Sequence, residues 1–575
     1  MARIVFVSNL LPLKIKVAGQ GELELENRIG GISSGLTNFY KEHNTAWIGT
    51  TGLYDKNLTQ KQKEYIRKEL IKKKCYPLQL KKKVKEKFLE GYSNSTIWPV
   101  FHYFQEIATY KDDDWKAYVK VNQKYADKLG EILQKDDKVW IHDYHLMLLP
   151  KMLRGKFPDL SIGYFQHIPF PSYEIFRLLP NRIELLEGLL GADLIGFHTY
   201  DYERHFLSSV RRLLGLETYF NQIRYDKRVL KVENFPMGID YEKYNKKAIE
   251  LQKETPPELI KFKDQIEKHI RRSPENKIIL SIDWLDYSKG LLNRLLSFKT
   301  FLKKYKELHG QVTFLLYVTP PSESISEFKK IKSQLDEQVG KINSEYGRID
   351  WTPIHYFYTE LNFDEMVQVY LSSDVAMITP TRDGMNLIAK EYVASRPRQK
   401  GVLILSEMAG ASKELGEALI VNPNSHNEIA DVLFRALTMK ESEITEMNIA
   451  LQKRLSNYTE YKWASDFITS LESVKKLQEY NLTRKLNKDL SQKIKNSYLQ
   501  SQKRIIFLDY DGTLKGFYKN PMDAKPDAEL YEIIGKLTSD KRNQIIIISG
   551  RDKETLSEWF EKENNLSFIA EHGVW

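Results

Sequence analysis

Short apolar runs of strand length recur along this chain, separated by stretches with helical periodicity, and they fall into two series. The first comprises residues 3–8, Thr45–Gly49, Lys138–His142, Ser161–His167, Leu194–His198 and Val229–Val232. The second comprises Lys277–Ser281, Gln311–Thr319, His355–Phe357, Val375–Thr379 and Val402–Ser406. Strands spaced by helices argue for parallel, doubly wound α/β sheets, because parallel neighbours need a crossover between them. The break near Pro236 to Pro257 predicts two such sheets, with a ligand lying at the carboxyl ends of both strand sets. Residues 426–500 are helical in pattern and end in the polar stretch Lys485–Lys503, after which Arg504–Leu514 and Gln544–Arg551 begin a third α/β unit. The predicted limits are 1–245 and 246–480 for two Rossmann-like domains, 481–502 for a linker and 503–575 for the third unit.

With 575 residues the chain can bury several cores without disulfides, and its single cysteine, Cys75, excludes an internal one. One cysteine also fits a reducing compartment, and the expected location is cytoplasmic. No apolar run approaches the ~20 residues of a membrane span. The net charge of +10 arises from lysines mixed with acids, which favours a solvated surface with a weak preference for anions and does not imply nucleic acid. The basic run Lys72–Lys87 alternates with aliphatic residues and reads as an exposed face.

Thr379–Val393 carries the densest chemical signal. An apolar strand ends at Thr379, Gly384 permits a tight turn, and helical spacing resumes at Leu387. The backbone amides of Met385, Asn386 and Leu387 would then sit free at a helix N-terminus and attract an anion. Asp383 and Glu391 bracket the turn, within reach of sugar or ribose hydroxyls, so a diphosphate-linked sugar fits. A second glycine-rich loop, Arg28–Leu36 with Gly31, either faces another anion or is a plain surface turn. Asp143 lies just past an apolar strand, where ligands collect. His167, Trp47 and Trp98 have both pocket and core readings.

At Trp140–Leu146, Phe165–Pro171, Phe235–Asp240, Leu285–Gly290 and Arg382–Leu387 the chain resembles trehalose-6-phosphate synthases, over residues 1–475. The third unit resembles the start of a trehalose-6-phosphate phosphatase, a haloacid-dehalogenase (HAD)-like domain. The resemblance implies a GT-B arrangement and retaining glucosyl transfer from UDP-glucose to glucose 6-phosphate, with no metal or other cofactor for that step. It places the amides of Gly384, Met385, Asn386 and Leu387 on the donor diphosphate, Glu391 on the ribose and Asp383 on the glucosyl hydroxyls. Lys289 serves the leaving phosphate, Gly31 lies on the donor side and His167 meets the transferred glucose. Asp143, Trp98 and Trp47 belong to the acceptor side. In the third unit Asp509 suits an aspartyl nucleophile and Asp511 a general acid and base, both helping to hold Mg²⁺, with Ser549 on the phosphoryl group. No nucleic-acid or membrane partner is implied, and a homo-oligomer is compatible.

The chain departs from the family at phosphate-binding positions. Leu10 and Trp284 stand where arginines are expected, Glu323 aligns with a third, and Leu89 replaces an acceptor-facing tyrosine. Arginine's fork binds phosphate bidentately and stays charged, which Leu, Trp and Glu cannot imitate. A preorganised donor of this kind is worth ~3–4 kcal/mol in the transition state. Three readings follow: a glucosyltransferase of the family, impaired by these losses; a transferase for an unphosphorylated acceptor; or a non-catalytic sugar-nucleotide-binding protein. The third unit is expected to lack phosphatase turnover, since residues 503–575 leave no room for the lysine and later acidic pair of such sites.

Overall fold

The computed structural model describes all residues except 1, 18–22, 28–35, 37–38, 41–42, 53–58, 322–325, 399, 484–487, 517, 519, 562, 564 and 572–575. The chain forms two compact units, residues 1–478 and 479–575.

The first unit holds two large sheets. One has nine strands in the order Cys75–Pro77, Thr45–Thr50, Ile4–Leu10, Lys138–His142, Ser161–Phe165, Leu194–Phe197, Arg228–Asn234, Gln222–Tyr225 and Thr218–Tyr219. Its first seven strands pair in parallel, and the last two add antiparallel. The other sheet runs Ile354–Tyr358, Val312–Thr319, Lys277–Trp284, Val375–Ile378, Val402–Ser406 and Leu419–Val421, parallel throughout. Both sheets are covered on two faces, which is why Leu194–Phe197, Val375–Ile378 and Val402–Ser406 are buried at every position and read as unbroken apolar runs. Strand order reverses beside Ile4–Leu10 in one sheet and beside Lys277–Trp284 in the other, so a crevice opens at the carboxyl ends of these strands.

Helix Glu460–Thr483 returns to the first sheet. Phe467 stacks on Trp140 with centroids 4.3 Å apart, and the Trp463 indole donates to the Phe235 carbonyl at 3.2 Å. Lys390, on the helix after the donor turn, pairs with Glu414 and donates to the Met237 carbonyl. Residues 426–500, helical in pattern, form a series of helices that ends with Lys488–Gln500, inside the stretch 481–502 expected to link the units. Leu490, Ile494 and Tyr498 recur every four residues there among good helix formers. The hairpin of Leu13–Val17 with Leu23–Asn27 was not among the predicted strands, although its charged and aliphatic residues alternate as those of a half-buried strand do.

The second unit has three parallel strands, Arg504–Asp509, Asn543–Ile548 and Leu566–Ile569, over a core of Tyr510, Leu530, Ile534, Ile547, Trp559 and Phe560. Among the described residues, no helix is long and apolar enough to cross a membrane.

A Cβ on Gly238 would run into the backbone of Tyr458 and Thr459, where the chain enters the returning helix. Gly238→Ala is therefore expected to destabilise the first unit by about 1–3 kcal/mol. A urea midpoint equal to that of the wild type would show that this crossing is not tightly packed.

Candidate active site

The donor turn is set by three close backbone approaches. A Cβ on Gly384 would collide with the His167 carbonyl oxygen, one on Gly410 with the Gly384 carbonyl, and one on Gly290, at φ +67°, with the Thr379 carbonyl. Glycine alone lets the second sheet's turn press against the segment that follows Ser161–Phe165. Asn386 then adopts a left-handed conformation, φ 68°, and its side chain caps helix Leu387–Ala394 by accepting from the Ala389 amide at 3.1 Å. The amides of Gly384, Asn386 and Leu387 have no hydrogen-bond acceptor among the described residues. The Met385 amide, expected to be free, reaches Asp383 Oδ1 at 3.4 Å.

Lys289 closes the turn from the facing loop. Asp286 accepts from the Ser288 amide at 2.7 Å and shapes the short turn Tyr287–Lys289. The Lys289 ammonium lies 2.5 Å from Asp383 Oδ2 and 4.6 Å above the Trp284 ring. Asn386 Nδ2 donates to the same Asp383 oxygen at 3.0 Å. Burial pushes the Asp383 carboxyl up, but Lys289 and Asn386 more than offset it, and the net shift is downward. Burial likewise lowers Lys289, and Asp383 and Asp283 raise it beyond that. Beneath them the fully buried Arg294 donates to Asp283 at 2.8 Å and to the Lys289 carbonyl at 2.9 Å, so it props the lysine turn. Sequence reasoning passed over Arg294, although a lone arginine between Leu291, Leu295 and Phe298 is itself a signal. Glu391 is buried and accepts from the Tyr370 hydroxyl at 3.1 Å; burial raises its carboxyl despite Tyr244 and Tyr370.

On the other side of the crevice Asp143 takes φ 75°, ψ 167°, a conformation that ordinarily belongs to glycine. Its amide donates to the Phe165 carbonyl at 2.8 Å, and its Oδ1 accepts from the His167 amide at 3.3 Å. Burial pushes its carboxyl up to about 7, against the pull of the Tyr144, His167 and Ile168 amides. His167 shares a 3.1 Å ring-to-ring hydrogen bond with His142. A cleft of about 690 Å³ is lined by Trp98, Tyr144, Trp284, Asp286, Lys14 and Glu360, among others. Its charged lining residues are Lys14, Lys111, Asp286, Glu327 and Glu360, with no arginine among the described residues, and Lys14 lies 3.6 Å from Glu360. Trp284 is 45% exposed here.

The structure brings Lys289, on the facing loop, against the turn of Asp383, Gly384, Met385, Asn386 and Leu387, and places Asp143 and His167 opposite. Trp98 lines the cleft as expected. Trp47 does not: it is buried in the first sheet's core, 5.1 Å from the Phe6 ring, with its indole donating to Ser8 Oγ at 2.7 Å. Its strand is buried at every position, so the side chain has no route to the crevice. Leu89 is likewise a core residue, and Leu10 pairs with Thr50 at the end of its strand. Gly31 and Glu323 lie outside the described residues. Two further ties were not anticipated: the Tyr202 hydroxyl donates to the Asp383 carbonyl at 3.2 Å, and the Arg382 guanidinium lies 3.8 Å from the Tyr103 ring centroid.

In the second unit Asp509 accepts from Thr513 Oγ1 at 2.9 Å. Asp511 is gripped by Arg551 at 2.6 and 3.0 Å, and Ser549 Oγ lies 3.3 Å away. With both Asp511 oxygens taken by one guanidinium, the Asp509 and Asp511 pair does not fit Mg²⁺ as it stands. Among the described residues, no group of three or more His, Cys, Asp or Glu side chains is placed to hold a metal.

Two doubly wound sheets that face a common crevice, with a glycine turn and helix N-terminus on the second sheet, define a GT-B glycosyltransferase. Residues 2–473 match Glycosyltransferase family 20, and residues 507–575 match the Trehalose-phosphatase family. The chain is 38% identical to a bifunctional trehalose-6-phosphate synthase/phosphatase of Thermoproteus tenax, over all of this chain and 78% of that one. It is also 38% identical to a UDP-forming α,α-trehalose-phosphate synthase of Dictyostelium discoideum, over 97% of this chain and 74% of the other. A UDP-forming synthase structure from Burkholderia vietnamiensis superposes with a TM-score of 0.71 at 32% identity, covering 82% of this chain and 99% of that one. The chain belongs to glycosyltransferase family 20, the trehalose-phosphate synthases.

Burial pushes the Asp143 carboxyl up to about 7 in the fold, above roughly 3.9 in the unfolded chain. Its contribution to stability is thus fully present below about pH 4 and lost as pH rises through 7. In Asp143→Asn the fall in urea midpoint between about pH 5 and about pH 8 should shrink. An unchanged fall would mean that the carboxyl titrates in its ordinary range.

Proposed function

We propose that this chain transfers glucose, with retention, from UDP-glucose to glucose 6-phosphate, and that its transfer step is slow. The observation that carries this reading is the position of Lys289, the cation beside the donor turn, held between Asp383 and the face of Trp284. The donor diphosphate settles on the amides of Gly384, Asn386 and Leu387 and draws the Lys289 ammonium from Asp383. Asp383, released, accepts from the glucosyl hydroxyls, and Glu391 accepts from the ribose. The bond from the sugar's anomeric carbon to the diphosphate breaks while its bond to the acceptor oxygen forms on the same face. The departing phosphate takes the acceptor proton, with Asp143 orienting the acceptor and His167 the transferred sugar. The relatives' names support this chemistry: one Escherichia coli family structure is described as bound with UDP-2-fluoro glucose, and one from Burkholderia xenovorans as in complex with glucose 6-phosphate.

Trp284 gives the leaving diphosphate no guanidinium, so charge building there is met by Lys289 and backbone dipoles. The cleft favours a second reading as well. Three carboxylates and two lysines line it, with no arginine among the described residues, which suits an unphosphorylated sugar better than a phosphate. We assign no phosphatase step to residues 507–575, and take the reaction to be cytoplasmic.

Trp284→Arg should raise turnover with UDP-glucose and glucose 6-phosphate roughly a hundredfold or more, as expected from ~3–4 kcal/mol of transition-state stabilisation. A variant no faster than wild type would refute the assignment of slow transfer to this position. Wild-type protein that works faster on unphosphorylated sugars than on glucose 6-phosphate would establish the second reading.

A further inference from the structure

His142 ends the strand Lys138–His142 one residue before Asp143 and is wholly buried. Its Nδ1 lies 3.1 Å from His167 Nε2, so one of the two nitrogens carries the proton between them. The other nitrogen of His142, Nε2, is buried without a hydrogen-bond partner among the described residues. Its ring neighbours include Phe6, with centroids 6.0 Å apart and an interplanar angle of 23°, and Trp140, at 4.8 Å and 36°. Rings so nearly parallel to the imidazole cannot receive an in-plane N–H through their faces.

Only two neutral arrangements exist. If His167 donates from Nε2, His142 must carry its proton on Nε2, leaving a buried N–H with no acceptor. If His142 donates from Nδ1, its Nε2 is a bare lone pair. Orphaned buried N–H groups are rarer than under-satisfied buried acceptors. A doubly protonated ring is excluded by the setting, since burial holds both His142 and His167 well below the usual imidazole range. His198, whose ring centroid is 5.3 Å from that of His167, is held down to about 3 by burial and by nearby Lys390.

We infer that His142 is a positioning residue that fixes His167 as its Nδ1–H tautomer, so that His167 offers a hydrogen-bond donor to the transferred sugar. His167 is only partly buried, and its Nδ1 has no partner among the described residues, which leaves that nitrogen for a ligand. The sugar hydroxyl that accepts from His167 keeps its own proton to donate to a carboxylate such as Asp383. The tautomer thus sets the direction of the hydrogen bonds around the sugar. The tautomer itself stands on the geometry alone; its consequence for turnover rests on the contact between His167 and the glucose proposed above.

The test uses the full chain labelled with ¹⁵N-histidine, read by long-range ¹H–¹⁵N correlation, with His142 and His167 assigned from single variants. In wild type His167 should show a pyrrole-type Nδ1 and a pyridine-type Nε2. His142→Phe removes the donor and should abolish that pattern; His142→Asn, whose amide N–H lies near the lost Nδ1, should restore it. Turnover should fall roughly two- to tenfold in the Phe variant and recover in the Asn variant, the range that one hydrogen bond covers. An Nε2–H pattern for His167 in wild type, or an Nδ1–H pattern that survives in the Phe variant, would overturn the inference. If the Phe variant does not fold, the wild-type spectrum alone decides. A tautomer that responds as expected while turnover stays unmoved would support the role of His142 and overturn the placement of His167 on the sugar.

Discussion

The buried ion pair between Lys289 and Asp383 joins the loop Tyr287–Lys289 to the glycine turn before helix Leu387–Ala394. It is 2.5 Å long, and the two side chains are only 7% and 12% exposed. Burying two charges costs several kcal/mol unless geometry and further hydrogen bonds compensate. Here Asn386 satisfies the second lone pair of Asp383 Oδ2, and Trp284 covers the ammonium. The backbone of the same turn is also tied down: the Asp383 carbonyl accepts from the Gly410 amide and from the hydroxyl of Tyr202, on helix Tyr200–Leu214. A change at any of these points moves the phosphate-facing amides.

The replacement of an arginine by Trp284 alters the balance of this cluster rather than its shape. A guanidinium would compete with Lys289 for Asp383 and leave the ammonium freer. An indole attracts the ammonium by about 0.5–2 kcal/mol and brings no charge of its own. The cluster is consequently self-neutralised by the Lys289–Asp383 pair.

Most of the fold was legible because parallel strands buried on two faces must be apolar throughout, as at Val375–Ile378 and Val402–Ser406. The glycine turn between Val375–Ile378 and Leu387–Ala394 was legible too, since an apolar strand, a glycine and renewed helical spacing follow one another there. Other features depend on contacts far apart in sequence. Trp47 has the composition of a pocket residue, and only the pairing of its strand with Ile4–Leu10 shows that it points into the core. The left-handed backbone of Asp143 and the facing of His142 with His167 leave no local pattern, whereas Arg294 beneath the lysine turn stood out among apolar helix positions and was passed over.

A structure of the chain with UDP-glucose bound tests most directly whether this ion pair is the element that the donor displaces. The expected result is a diphosphate seated on the amides of Asn386 and Leu387, with Lys289 Nζ moved from Asp383 to a phosphate oxygen. Asp383 would then face the glucosyl hydroxyls. A bound diphosphate that leaves the 2.5 Å contact between Lys289 and Asp383 intact would contradict it.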